Sequence, residues 1–221
     1  MARIARVIIP NLPHHVTQRG NGRQKTFFTE ADYELYRNLL ADSCKKARVA
    51  CWAWVLMPNH VHLILVPRSE DGLRAALAPV HRAYAGLIHA RQKKTGHFWQ
   101  GRFGTTVMDE SHLAEAFRYV LLNPVRAKLV TKPDAWKWSS ARAYLKGRDD
   151  GLTDTGPMLQ RFPDIKALLS ADENEDNLKR LRAAETIGRP VGNAAFMKSI
   201  EKKSGRKLAP AKAGRKPAQD A

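Results

Sequence analysis

The sequence predicts an α+β fold whose elements run strand, helix, strand, strand, helix, strand. Three observations carry this reading. Residues 14–19 alternate and hold β-branched side chains, while 49–57 and 60–66 are apolar runs of strand length. Two longer stretches repeat apolar residues at three and four, the period of a helix with one buried face. Pro58-Asn59 interrupts the two apolar runs closely enough to make them hairpin partners.

HHVTQR (14–19) is the first strand, and GNGRQ after it is a turn-rich basic loop. Thr29 caps the first helix, with Tyr33, Tyr36, Leu39, Leu40, Cys44 and Ala47 on one face and an end near Arg48. VACWAWVLM (49–57) is a buried strand, and His60 to Val66 its partner. Asp71 starts the second helix, on which Leu73, Leu77, Val80, Tyr84, Leu87 and Ile88 form a stripe reaching about Lys93. GRFGTTVMD (101–109) is a fourth strand. Asp109 or Ser111 then caps a third helix, expected to stop at Asn123 because Pro124 disfavours helical backbone in the residue before it. The order is the split βαβ, ferredoxin-like arrangement: a four-stranded antiparallel sheet with two helices on one face, the third helix added at its end.

After Gly147 the composition shifts. Residues 149–176 are acidic and carry Gly151, Gly156, Pro157 and Pro163, which reads as a linker with short helical pieces. Residues 177–221 read as a basic element of two short helices around Gly188-Arg189-Pro190, followed by a tail, KKSGRKLAPAKAGRKPAQ from Lys202. That tail has too few large apolar residues to fold alone.

Lys and Arg number 38 against 21 Asp and Glu, a net charge of +17 in 221 residues. Such an excess points to a polyanion, nucleic acid before an acidic membrane surface. No apolar run approaches the ~20 residues of a membrane span. Pro10 and Pro13 break the short N-terminal apolar patch, and no signal-peptide pattern follows, so the chain reads as intracellular. Cys44 and Cys51 match no zinc spacing and read as half-buried small hydrophobes.

The chemistry concentrates in two places. In PNHVHLILVP (58–67), His60 and His62 are i and i+2 on a strand, so they face the same way. They could hold one metal ion, or be two histidines satisfied by hydrogen bonds. With no cysteine set available, a metal there would be Mg²⁺ or Mn²⁺ with open positions on a phosphate. In SHLAEAFRYVLLNPVR (111–126), Tyr119 lies to the side of the stripe Leu113, Phe117, Val120 and Leu121, with His112, Glu115 and Asn123 on its side. A phenol beside an amide oxygen suits a nucleophile beside a ligand; an amphipathic tyrosine at a core edge is the plainer alternative. Tyr33, Tyr36, Tyr84 and Tyr144 read as packing, and His81, His89 and His97 as solvated. His14 and His15 open a strand, and the sequence does not decide whether either is near the pair. Trp99 could stack on an unpaired base or belong to the core.

PNHVHLILVP together with RYVLLNPVRAKLV resembles the single-tyrosine HUH transposases, named for their His-hydrophobic-His motif. HVTQRGNGRQKTFF and FWQGRFGTTVMDE fit the same pattern, and GRPVGNAAFMKSIEKKSGRKLAP resembles the REP-associated tyrosine transposases within that group. The resemblance covers about residues 3–148 and, more loosely, 186–217. It implies the HUH nuclease fold and a catalytic domain over residues 1–148. It also implies Tyr119 as the nucleophile, His60 and His62 as metal ligands, and Asn123, one turn after the tyrosine, as the third ligand. Arg19, Arg23, Lys25, Arg102 and Arg126 would contact DNA, where phosphate contacts supply most of the affinity. The implied activity is metal-dependent cleavage and rejoining of single-stranded hairpin DNA of the REP type through a 5′-phosphotyrosine. The implied protein is a monomer in the cytoplasm at the nucleoid. The rival expectations are a nicking-only endonuclease, a non-catalytic nucleic-acid binder that keeps the fold, and a basic RNA-associated structural protein.

Overall fold

The computed structural model describes residues 5–171 and 175–208. The sheet is built from β1 (His14–Arg19), β2 (Val49–Met57), β3 (His60–Pro67) and β4 (Gly104–Val107), in the spatial order β2-β3-β1-β4 with every pairing antiparallel. The expected α+β, ferredoxin-like arrangement is the one found. The fourth strand is shorter than its sequence pattern over 101–109, because 98–102 turns away to bond the loop after β1.

Both central strands are buried on both faces, which is why β3 reads as a continuous apolar run. Val61, Leu63 and Leu65 face one core with Val16, and Ile64 and Val66 face the other. A bulge at Cys51/Ala53 shifts the phase of β2. Cys51 therefore shares the first core with Trp54 and Leu56, while Ala53, Val55 and Met57 serve the second. The first face is covered by α1 (Glu30–Ala47) and α2 (Gly72–Gln92). Thr29 and Asp32 close a capping box on α1, and Arg48 ends it in the left-handed conformation.

α3 (Glu110–Arg126) differs from expectation twice. It covers the second face of the sheet, with Leu113, Ala116, Phe117, Val120 and Leu121 against Val55, Ile64 and Val66, rather than extending the end. The molecule is thus three layers, helix on sheet on helix. It also runs through Pro124 to Arg126. The bias against helix before proline is a local preference. Here Asn123 and Pro124 are buried, and the last turn is held by Ala127 N–H donating to the Asn123 carbonyl (2.9 Å) and Leu129 N–H to that of Pro124 (2.9 Å).

The remaining elements close the sheet edges, where exposed ladders would invite pairing. Along β2, the Leu56 and Trp54 backbones bond Trp138 and Ser140, just before α4 (Ala141–Lys146), and Asp154 N–H donates to Cys51. Asp150 accepts from the Trp54 indole (2.9 Å). The acidic stretch expected as a linker therefore lies folded against β2. It contains α5 (Gly156–Arg161) and α6 (Ile165–Ser170), which bury Met158 and Ile165 in the second core. α7 (Glu175–Ile187) places Leu181 in that core as well, and Val191 bonds Val107 and Asp109 along the outer edge of β4. α8 (Ala194–Ser204) packs Ile200 against Val7, Ile9 and Val107. The basic tail beyond Leu208 lies outside the described residues. Among the described residues no helix is long and apolar enough to cross a membrane.

The second helix shows two further departures. Leu87 is 52% exposed although it lies on the apolar stripe, and His81 is buried although it reads as solvated. The loop 93–103 folds over the His81 side of α2 and leaves Leu87 outside. Its Trp99 indole donates to the His81 carbonyl (3.0 Å) and packs with Tyr36, Tyr84 and Phe98, so Trp99 belongs to the core.

Candidate active site

The register of β1 on β3 sets Arg19 opposite His60, Thr17 opposite His62 and His15 opposite Ile64. Directly opposed residues share a sheet face. His15, Thr17, Arg19, His60 and His62 therefore lie together on the face that α3 covers. A one-residue slip of β3 would move both histidines to the other face and expel Val61, Leu63 and Leu65 from their core, each worth roughly 1.5–3 kcal/mol of burial. Ordinary packing thus places the imidazoles.

Tyr119 comes down onto them from α3. Its ring meets the His62 ring edge-on at 5.0 Å between centroids and the His15 ring edge-on at 6.2 Å. His60 and His62 are also edge-on, at 4.9 Å. Asn123 is buried one helical turn after Tyr119 on the same helix, and Arg126, at the helix end, sets its guanidinium 5.2 Å from the Tyr119 ring centre. Two residues 57 positions apart in sequence, His62 and Tyr119, thereby form one site.

A cleft of about 250 Å³ opens beside the histidines, lined by Arg19, Arg23, His60, His62, Gln100 and Arg102 among others. Its rim is three loops tied to one another. Gly20 N–H donates to the Asn59 carbonyl (3.0 Å), Asn21 N–H to that of Phe98 (2.9 Å), Gln100 N–H to that of Arg19 (2.9 Å), and the Gln18 amide to that of Gly101 (3.1 Å). The cleft is consequently positive and preformed. Of the arginines and lysine singled out by sequence, Arg19, Arg23 and Arg102 line it. Arg126 sits at the tyrosine instead, and Lys25 is exposed over the Phe28 ring at 5.9 Å, away from the cleft.

His15 and His60 are held neutral. Burial, with the Arg19 cation adding to it, lowers the His60 pKa to about 4, and burial lowers that of His15 to about 3. A neutral imidazole keeps one unprotonated nitrogen, and the hydrogen bonds say which. The Asn59 amide nitrogen donates to the Arg23 carbonyl (3.1 Å), so its oxygen is the atom 2.6 Å from His60 Nδ1. An amide oxygen only accepts. His60 Nδ1 therefore carries the proton, and Nε2 keeps the lone pair.

Among the described residues no three His, Cys, Asp or Glu side chains cluster as a metal site. The structure brings together two imidazoles on one strand face and buries Asn123 one turn beyond Tyr119. That set fits a divalent ion kept loosely, with positions left for phosphate oxygens and water.

Sequence reasoning leaves His15 undecided and takes Asn59 only as a strand breaker. Alternation on β1 puts 15, 17 and 19 on one face, but which face depends on the register with β3, a tertiary fact. Of the remaining histidines, His14 bonds Ile9 N–H (3.1 Å) and the Leu12 carbonyl (2.8 Å), and His112 bonds the cap residue Asp109 (2.7 Å), so both have structural employment.

Residues 9–122 match the family described as Transposase IS200 like. A Haemophilus influenzae protein whose name places it with the REP-associated tyrosine transposases is 24% identical over 135 residues, 56% of this chain and 76% of that protein. A solved structure of a REP-associated tyrosine transposase bound to a REP hairpin superposes with a TM-score of 0.57 at 19% identity, covering 70% of this chain and 93% of that one. The last likeness is one of fold.

Proposed function

The chain belongs to the IS200-like transposase family, and on that premise we propose that it cuts and rejoins single-stranded DNA, with Tyr119 as the nucleophile. The observation that carries this is the Tyr119 ring against His62, beside a cleft lined by Arg19, Arg23 and Arg102. A core-edge tyrosine has no reason to sit on a histidine pair under a positive cleft.

The arginines bind and orient the backbone phosphates of the substrate strand. Tyr119 gives up its hydroxyl proton and its oxygen attacks phosphorus. A new P–O bond forms to the phenol, the bond to the 3′ oxygen breaks, and that oxygen leaves as a hydroxyl. The 5′-phosphotyrosine stores the bond, so a 3′-hydroxyl of another end can attack it and restore a phosphodiester. Mg²⁺ or Mn²⁺ held by His60, His62 and the Asn123 side-chain oxygen would polarise the scissile phosphate. Tyr119 reaches the histidines of its own chain, which supports a monomer completing its own site. A REP-type hairpin is the proposed substrate, supported by the hairpin bound in the structure of similar fold.

The test mixes the protein with labelled single-stranded hairpins drawn from palindromes near its gene, with Mg²⁺, Mn²⁺ or chelator. A covalent protein–DNA adduct on a denaturing gel is expected, dependent on metal and lost in Tyr119→Phe. Tight binding with no adduct under every metal would leave the protein a binder and sink the proposal.

A further inference from the structure

His15 is fully buried on β1, and its ring lies parallel to that of His62, 3° between planes and 5.1 Å between centroids. Its Nε2 is 3.1 Å from His62 Nδ1. Two imidazoles can share one proton across such a contact in either sense. If His15 donates, His62 Nδ1 is the acceptor, the His62 proton sits on Nε2, and His62 keeps no lone pair for a ligand. If His62 donates, its Nδ1 carries the proton and its Nε2 keeps the lone pair. His60 is already set in the second state by the Asn59 oxygen.

We propose that His15 is the positioning residue of the site: its Nε2 accepts the proton of His62 Nδ1, so that His62, like His60, presents Nε2 to one shared divalent ion. This rests on the metal-site reading above. Outer partners of this kind fix the tautomer and the ring angle of a ligating histidine, and their loss typically weakens metal binding by about 10–100-fold. The arrangement is economical in the fold. Asn59 comes from the β2–β3 turn and His15 from the neighbouring strand, so each ligand is braced from a different side. An in-plane hydrogen bond of this kind also fixes the angle of the His62 ring.

The tautomer is measurable in the metal-free, DNA-free protein by long-range ¹H–¹⁵N correlation of the imidazole rings, assigned with His62→Gln and His15→Gln. The expected result is His62 protonated at Nδ1 and unprotonated at Nε2, matching His60. Mn²⁺ titration then compares variants. His15→Phe removes the acceptor and should weaken Mn²⁺ binding about tenfold or more. His15→Gln, whose side-chain oxygen reaches where Nε2 was, should restore most of it; a merely space-filling role would favour phenylalanine instead. Wild-type His62 protonated at Nε2 would overturn the proposal without any variant having to fold. So would unchanged Mn²⁺ affinity in a folded His15→Phe. Neither readout uses DNA cleavage: a missing Tyr119 adduct with the expected tautomer and Mn²⁺ binding would fail the strand-transfer reading alone.

Discussion

The buried histidines make the fold acid-sensitive in a window that can be worked out. Burial lowers the pKa of His14 to about 4 even against the opposing hydrogen bonds to backbone, that of His15 to about 3, and that of His81 to about 3, where the Arg6 cation adds to burial. Each has an ordinary value of 6.5. Near pH 5 the unfolded chain therefore holds about one more proton per histidine than the folded one. With His60, whose pKa is likewise lowered to about 4, unfolding takes up about four protons, and stability must fall as pH falls, by about 5 kcal/mol per pH unit at its steepest. The loss begins below the unfolded value and is complete once pH has passed the folded values. Between pH 7 and pH 5 it amounts to on the order of 7 kcal/mol, comparable with the whole stability of many domains. Urea unfolding at half-unit pH steps, followed by tryptophan fluorescence, measures it. His81→Gln keeps a partner for the Tyr36 hydroxyl, now 3.0 Å from His81 Nε2, and should remove about a quarter of the pH dependence. A profile flat within about 1 kcal/mol from pH 7 to 5, or one that His81→Gln leaves unchanged, refutes the reasoning.

Other outcomes follow from single side chains. Replacing Arg19, Arg23 or Arg102 by Gln should weaken single-strand binding and reduce the slope of log K against log salt by roughly 0.7 for each phosphate no longer neutralised, whereas Lys25→Gln, outside the cleft, should leave the slope unchanged. Phe117→Ala empties a fully buried site between Tyr144 and Phe162 and should cost about 3–5 kcal/mol in denaturant unfolding. Gly20→Ala would bring a Cβ to 2.4 Å from the Gln24 carbonyl and 2.8 Å from Thr26 Cγ2. It should displace the loop carrying Arg23 and weaken DNA binding more than it lowers thermal stability, with equal loss of both counting against the loop's role.

The two halves of the site differ in how far sequence could reach them. Period-two alternation puts His60 and His62 on one face of a strand whatever surrounds it, and apolar flanks make that strand central. Helical spacing likewise frees Tyr119 from the stripe of Leu113, Phe117 and Val120. Those are local periodicities, readable from sequence because they follow from backbone geometry alone. The order of elements and the Pro58-Asn59 break were enough for the sheet topology.

Meeting is a different matter. Whether Tyr119 reaches His62 depends on α3 crossing the second face of the sheet, which the apolar residues Ile64, Val66 and Val55 on that face make favourable but which no spacing in α3 states. Whether His15 touches His62 depends on the register of β1 against β3, set by the burial of Val16 with Leu63. At Pro124 the buried last turn outweighs a local bias. Helix position alone makes His81 solvated, while a loop from residues 93–103 decides its burial. Local periodicity sets which side chains each element carries on which face. Which faces meet is settled only when the elements pack, because that choice minimises exposed apolar area over the whole chain and is written in no single segment of it.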